Sequence, residues 1–130
     1  MEGQIELDLP AGPDAACAAR VAMTQRFHAN VPEKAMDDVR LLVTELITNP
    51  LRHAGLRAGD HVLLRASLAD DRMRVEVHDP GRNGDVEPRK PKGRGGGYGL
   101  YLLEQMALRW GVERNGGTVV WFEMSAGIAR

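Results

Sequence analysis

The chain has 130 residues, of which 43% are hydrophobic and 27% charged, and its formal net charge is −1 at pH 7. These values are typical of one globular domain and exclude a disordered or fibrous chain. No apolar run is long enough to span a membrane, the first residues lack a secretory pattern, and the single cysteine excludes an internal disulfide. We expect one domain over residues 1–130, located in the cytoplasm and without membrane contact.

Basic charge is concentrated in one segment of the chain. Residues 81–94 contain five arginines and lysines against two acidic residues, so the remainder of the chain carries a net negative charge. Nucleic-acid-binding domains usually have a high isoelectric point, whereas the value for this sequence is about 6.4. The charge distribution therefore favours a small anionic ligand over direct contact with nucleic acid.

The amino-terminal half predicts one strand followed by two helices. Residues 4–9 alternate between polar and apolar side chains, which predicts a half-buried strand ending at Pro10. A helix is expected from Pro13 to about Ala29. A second helix is expected from residue 33 to about His53, because its apolar residues recur every three or four positions.

The carboxyl-terminal half predicts two hairpins separated by a long loop and a third helix. Residues 61–69 and 73–78 have strand composition around an aspartate-containing turn, and residues 112–114 and 118–124 form the second strand pair. Between the pairs lie a loop rich in glycine, proline and basic residues and a helix from Tyr98 to about Trp110. This order predicts an α+β two-layer sandwich, with a mixed, mostly antiparallel β-sheet and about three α-helices on one face.

Glu45 and Asn49 are the first candidates for chemistry. They lie four residues apart on the second helix, so both side chains project from the same side. An amide oxygen can ligate Mg²⁺, and a neighbouring carboxylate can act as a base. The alternative is a polar surface on an amphipathic helix.

Two further features are compatible with a nucleotide site. Asp79 follows a predicted strand, where its carboxylate is either a ligand acceptor or an ordinary turn residue. A glycine cluster, residues 95–97, leads through Gly99 into the third helix, and a helix amino terminus offers unpaired N–H groups to phosphate. The alternative for the cluster is a flexible linker.

Four segments together resemble a known family. They are LLVTELITNPLRHA (residues 41–54), VEVHDPG (75–81), GGGYGLYLLEQMA (95–107) and GGTVVWFEM (116–124). These segments resemble the N, G1, G2 and final-strand motifs of the GHKL ATPase superfamily, whose members have the Bergerat ATP-binding fold. Their order and spacing are most similar to those of the stand-alone anti-sigma factor serine kinases of bacteria, and the resemblance covers residues 4–124.

The resemblance implies roles for the second helix. Asn49 matches the family asparagine that ligates Mg²⁺, and Glu45 matches the acidic residue that assists phosphoryl transfer from ATP. His53 matches the histidine that commonly ends this helix at the nucleotide site. From their charge, Lys92 and Arg94 in the predicted ATP lid, residues 80–97, are candidates to neutralise the β- and γ-phosphates.

The resemblance also implies the residues that hold the base and the phosphates. Asp79 matches the aspartate that accepts a hydrogen bond from the adenine amino group, and Gly81 matches the glycine that lets the base lie close to the backbone. Gly97 and Gly99 match glycines that contact the phosphates. Thr118 matches the hydroxyl residue near the adenine pocket.

The function implied by the resemblance is that of an anti-sigma factor that depends on ATP and Mg²⁺. Such a protein sequesters a sigma factor and phosphorylates a serine on an anti-anti-sigma partner of the STAS type. Members of the family commonly form homodimers, so a second copy of the chain is a further candidate partner. The catalytic domain of a sensor histidine kinase is less favoured, because 130 residues leave no room for a helical hairpin carrying a phospho-accepting histidine.

Two differences from the family pattern favour an alternative function. Pro50 follows Asn49 where the family has a small helix-forming residue, and an interior proline removes one helical hydrogen bond and kinks the helix. The motif that begins at Asp79 also lacks the closely spaced second glycine. The alternative is a nucleotide-binding regulatory module that binds partners but has little or no kinase activity.

Overall fold

The computed structural model describes residues 3–53, 59–80, 99–114 and 116–127, and it describes the backbone alone at residues 49–53 and 99–100. Within these ranges the chain forms three helices and five strands. In chain order they are β1 (Gly3–Pro10), α1 (Ala15–Phe27), α2 (Glu33–His53), β2 (His61–Ala69), β3 (Arg72–Asp79), α3 (Gly99–Met106), β4 (Arg109–Arg114) and β5 (Thr118–Ser125). None of the described helices is both long and apolar enough to cross a membrane.

The strands form one sheet in the order β1-β2-β3-β5-β4. All four neighbouring pairs are antiparallel, so the described sheet is antiparallel throughout rather than mixed. The two hairpins, β2–β3 and β4–β5, account for two of these pairs, and β5 returns beside β3 in the opposite direction. The predicted α+β fold is confirmed, with this correction to the sheet.

One face of the sheet is buried beneath the helices. Along β2, β3 and β5 every second side chain is buried, as expected for strands with one covered face. Helix α1 packs against β1 and α2, while α2 also contacts β3 and α3. The largest fully buried side chains from these elements are Phe27, Phe122, Met23, Met36, Leu42, Leu46, Ile47 and Leu64. Burial of these side chains supplies most of the driving force for folding.

The boundary between α3 and β4 differs from the prediction. The third helix ends at Met106 instead of continuing to about Trp110, and β4 begins at Arg109. The backbone N–H of Leu108 donates a hydrogen bond to the carbonyl of Glu123 at 2.8 Å, and Trp110 pairs with Phe122 in the sheet. Pairing with β5 therefore outweighs the helical pattern of this segment.

The opposite face of the sheet carries a network of charged side chains. The register places Glu123 of β5 between Arg74 of β3 and Arg109 of β4, and both arginines donate hydrogen bonds to its carboxylate. Hydrogen bonding by Arg109 lowers the pKa of Glu123 against the effect of burial, and Arg74 adds to this lowering. The Arg74 guanidinium also lies 4.3 Å from the ring centre of Trp121. These contacts tie the three strands together through their side chains.

Candidate functional site

The helix-facing surface of β3 and β5 is apolar except at one end. Asp79 is the last residue of β3, Thr118 is the first of β5, and the sheet register pairs them. Both residues are 8% exposed, and they are the only buried polar or charged residues in the described ranges. The other buried positions of these two strands are Met73, Val75, Val77, Val120, Phe122 and Met124. The structure thus places two predicted site residues side by side at the polar end of an apolar surface.

The ends of β3 and β5 position this pair. Pro80 follows Asp79 directly and has no backbone N–H, so it cannot extend the ladder on that side. Before Thr118, Gly116 adopts a positive φ of 75°, which glycine accommodates without strain. The chain therefore leaves β3 at Asp79 and enters β5 at Thr118, at the same end of these two neighbouring strands.

Helix α2 carries the predicted catalytic residue. Glu45 is half-buried on α2, which packs against β3 and α3. Its neighbour Thr44 donates a hydrogen bond to the carbonyl of Arg40 at 2.7 Å and accepts one from Arg20 of α1 at 3.0 Å. These bonds fix the helix surface one residue before Glu45, so this part of α2 is held against α1.

The other predicted residues of α2 are defined by their backbone. Asn49 and His53 both lie within the helix, which the structure continues through Pro50 to His53. Proline therefore does not end the helix at this point. The predicted roles of the Asn49 and His53 side chains remain predictions.

The remaining candidates either begin the described part of α3 or precede it in the chain. Gly99 is the first described residue of α3, and its proposed contact with phosphate stays a prediction. Gly81, Lys92, Arg94 and Gly97 lie outside the described residues, as does the predicted lid except for Pro80. Their roles stay predictions from the sequence.

Gly117 is a neighbour of the site that the sequence analysis named only within the final-strand segment, residues 116–124. A Cβ atom built on Gly117 would overlap the carbonyl oxygen of Asp79 and lie 3.3 Å from Cα of Pro80. The signal in the sequence was the Gly116-Gly117 pair directly before a buried strand. Only the fold reveals that the second glycine is packed against the backbone of Asp79.

The chemistry of this pair fits the base of an adenine nucleotide. A carboxylate can accept a hydrogen bond from an exocyclic amino group, and a hydroxyl can donate or accept one. The adjacent apolar surface suits the flat face of an aromatic base. The combination favours a ligand that presents an amino group at the edge of a planar ring.

A cavity of about 530 Å³ lies on the opposite, charged face of the sheet. Gln4, Arg65, Ser67 and Glu76 are among the residues that line it. This cavity is open to solvent and lies away from the Asp79–Thr118 pair. Because neither Asp79 nor Thr118 lines it, this cavity is not part of the site described above.

Comparison with known proteins is consistent with this geometry. Residues 9–124 match the histidine kinase-like ATPase domain family. A serine-protein kinase RsbW of Listeria innocua is 30% identical over 121 residues, covering 82% of this chain and 76% of the relative. The serine-protein kinase RsbW of Staphylococcus epidermidis is 26% identical over 117 residues, covering 78% of this chain and 74% of the relative.

A solved structure shares the same architecture. The histidine kinase domain of a blue-light activated histidine kinase from Erythrobacter litoralis superposes with a TM-score of 0.59 and is 26% identical in sequence. The match covers 90% of this chain and 61% of the histidine kinase domain. The present chain therefore corresponds to a part of that larger domain.

Proposed function

The chain belongs to the histidine kinase-like ATPase family, and from this premise we propose that it binds ATP and transfers the terminal phosphoryl group to a serine on a protein partner. The observation that carries the proposal is the buried Asp79–Thr118 pair at the end of the apolar sheet surface. Similarity to serine-protein kinases supports serine as the acceptor.

The described residues of the proposed site fall into two groups. Asp79 and Thr118 lie at the adenine base, and Glu45 acts where the terminal phosphoryl group is transferred. Asp79 accepts a hydrogen bond from the adenine amino group, and Thr118 beside it provides a hydroxyl to the same region. Guanine has a carbonyl where adenine has this amino group, so the Asp79 carboxylate repels it and selects adenine. On α2, Glu45 receives the proton of the attacking serine hydroxyl or orients that hydroxyl.

The phosphate end of the proposed site rests on residues identified by resemblance. Asn49 is the proposed Mg²⁺ ligand, since an amide oxygen suits a hard cation. Lys92 and Arg94 are proposed to offset phosphate charge, while Gly97 and Gly99 offer backbone N–H groups. ATP with Mg²⁺ supplies the activated phosphoryl group. Gly81 and His53 complete the proposed site beside the base and at the end of α2.

The proposed partners follow from the relatives rather than from a surface of this chain. We propose a sigma factor as the sequestered protein and a STAS-type anti-anti-sigma protein as the phosphorylated one, with a homodimer as the assembly. The proposed setting is the cytoplasm, without direct contact to nucleic acid or membrane.

Pro50 supports a second candidate function, a nucleotide-binding regulator with little or no transfer activity. Proline within α2 has no N–H to donate to the carbonyl of Leu46. The missing hydrogen bond lies next to Asn49, the proposed metal ligand. A shift of a metal ligand by about 1 Å is enough to slow phosphoryl transfer severely.

A radiolabel assay separates the two candidates. The chain is incubated with [γ-³²P]ATP, Mg²⁺ and, one at a time, the STAS-domain proteins encoded in the same genome. The kinase proposal predicts label on a serine of one of these proteins, and Glu45→Gln should reduce the rate by about 10²–10⁴-fold. Binding of ATP without any transfer would support the regulator. Absence of ATP binding would refute both.

A further inference from the structure

The packing around Gly117 is closer than around the other described glycines of ordinary φ. A side chain on Gly12 would meet no atom within 4 Å, and one on Gly111 would meet the ring of Trp121, which is a side chain. A side chain on Gly117 would instead meet the Asp79 carbonyl and Pro80 Cα, both of which belong to the backbone. Backbone atoms at a strand end cannot rotate away as the end of a side chain can.

The backbone of Asp79 occupies the position that a side chain on residue 117 would take. Asp79 is the residue that the proposed function uses to recognise adenine. Asp79 is the register partner of Thr118, which follows Gly117 directly. Resting on the proposed function, we propose that Gly117 is a positioning residue for nucleotide recognition. Because it has no side chain, β5 begins against the backbone of Asp79, and this contact sets the direction of the Asp79 carboxylate.

The effect of a side chain at this position follows from the local backbone. A methyl group at residue 117 would push the Asp79 carbonyl away and separate the ends of β3 and β5. Pro80 has a nearly fixed φ, so the chain beyond Asp79 offers little freedom to absorb the shift. Hydrogen bonds weaken steeply as their angle departs from linearity, so a rotated Asp79 carboxylate binds the adenine amino group poorly.

The first test is the ADP affinity of Gly117→Ala, measured by calorimetry, with Gly12→Ala as the matched control. Loss of one hydrogen bond to a charged group corresponds to about 10- to 100-fold weaker binding. We expect a loss of this size for Gly117→Ala and a change of less than about twofold for Gly12→Ala, whose new methyl meets nothing. Parent-like affinity in the folded Gly117→Ala protein would overturn the proposal.

The second test distinguishes positioning of Asp79 from a general structural effect. If Gly117 acts through Asp79, Gly117→Ala should weaken ADP binding little further in a protein that already carries Asp79→Asn. Full additivity of the two losses would overturn the proposal. Pro80→Gly serves as a second variant that adds no atoms. It loosens the other side of the same contact, and its effect on ADP affinity should likewise vanish in the Asp79→Asn background.

The third test needs no nucleotide. Amide hydrogen exchange in Gly117→Ala should become faster at the Asp79–Thr118 end of the ladder and stay unchanged at the Met73–Met124 end. Unchanged exchange at Thr118 would contradict the positioning role. If the parent protein binds no ADP, the proposed nucleotide function fails, while the exchange rates still decide whether Gly117 holds this end of the sheet.

Discussion

Replacing Glu123 with glutamine should destabilise the protein, because Glu123 joins three strands. Its carboxylate accepts hydrogen bonds from Nε and a terminal nitrogen of Arg109 at 3.1 and 2.9 Å, and from Arg74 at 2.9 Å. The Glu123 side chain is 12% exposed, whereas Arg109 is 62% and Arg74 33% exposed. Glu123→Gln keeps the shape but places an amide NH₂ group against guanidinium donors.

The magnitude follows from the exposure of the partners. A hydrogen bond to a charged group contributes about 1.5–3 kcal/mol when desolvated, and an exposed ion pair about 0.2–1 kcal/mol. Since Arg109 is mostly exposed and Arg74 is partly shielded by Trp121, we expect Glu123→Gln to lower the free energy of unfolding by about 1–3 kcal/mol at pH 7. Urea denaturation followed by circular dichroism measures this change. Glu113→Gln, at an exposed position of β4, is the control.

The same substitution should change the pH dependence of stability. The pKa of Glu123 is lowered in the folded protein, so its stabilisation is present above the unfolded pKa of 4.5 and is lost as the pH falls through the lower folded pKa. The parent should therefore lose more stability than Glu123→Gln on acidification below that unfolded pKa. Equal stability of parent and variant at pH 7, or equal acid sensitivity, would refute the role assigned to this network.

Three further substitutions probe the core, the metal and the proline. Phe122→Ala should lower the free energy of unfolding by about 3–5 kcal/mol in urea denaturation, because Phe122 is fully buried; a loss below about 1 kcal/mol would contradict its place in the core. Asn49→Ala should remove the dependence of ATP affinity on Mg²⁺ in calorimetry, and a retained dependence would exclude it as the ligand. Pro50→Ala should raise the unfolding free energy by about 1–3 kcal/mol by restoring the hydrogen bond to the Leu46 carbonyl. Increased phosphotransfer by Pro50→Ala would show that the proline limits the reaction, whereas unchanged transfer would show that it does not.

Much of the fold could be predicted because side-chain periodicity reports burial directly. The first hairpin shows this, since the predicted strand over residues 61–69 matches β2 and the turn falls at Asp70, with a positive φ of 55°. Helix α2 was predicted to begin at residue 33, and Glu33 is its first residue in the structure. In these elements local preference and tertiary packing favour the same conformation.

The prediction failed for residues whose conformation depends on contacts with residues distant in the sequence. The segment after Met106 has helical periodicity, yet it pairs with β5 through Leu108 and Trp110. Similarly, a glycine pair before a strand predicts a turn, and only the pairing of β5 with β3 brings Gly117 against Asp79. The motif order suggested Asp79 and Thr118 as site residues, but their pairing across two strands depends on the sheet order.

Binding of ADP to the parent protein and to Asp79→Asn tests the central claim most directly. Asp70→Asn is the matched control, because it makes the same chemical change in the turn that precedes β3, and asparagine tolerates the positive φ at that position. Calorimetry should show ADP binding to the parent and to Asp70→Asn with similar affinity, and binding to Asp79→Asn weakened by about 1.5–3 kcal/mol. Equal affinity of a folded Asp79→Asn protein, or no ADP binding by the parent, would contradict the account.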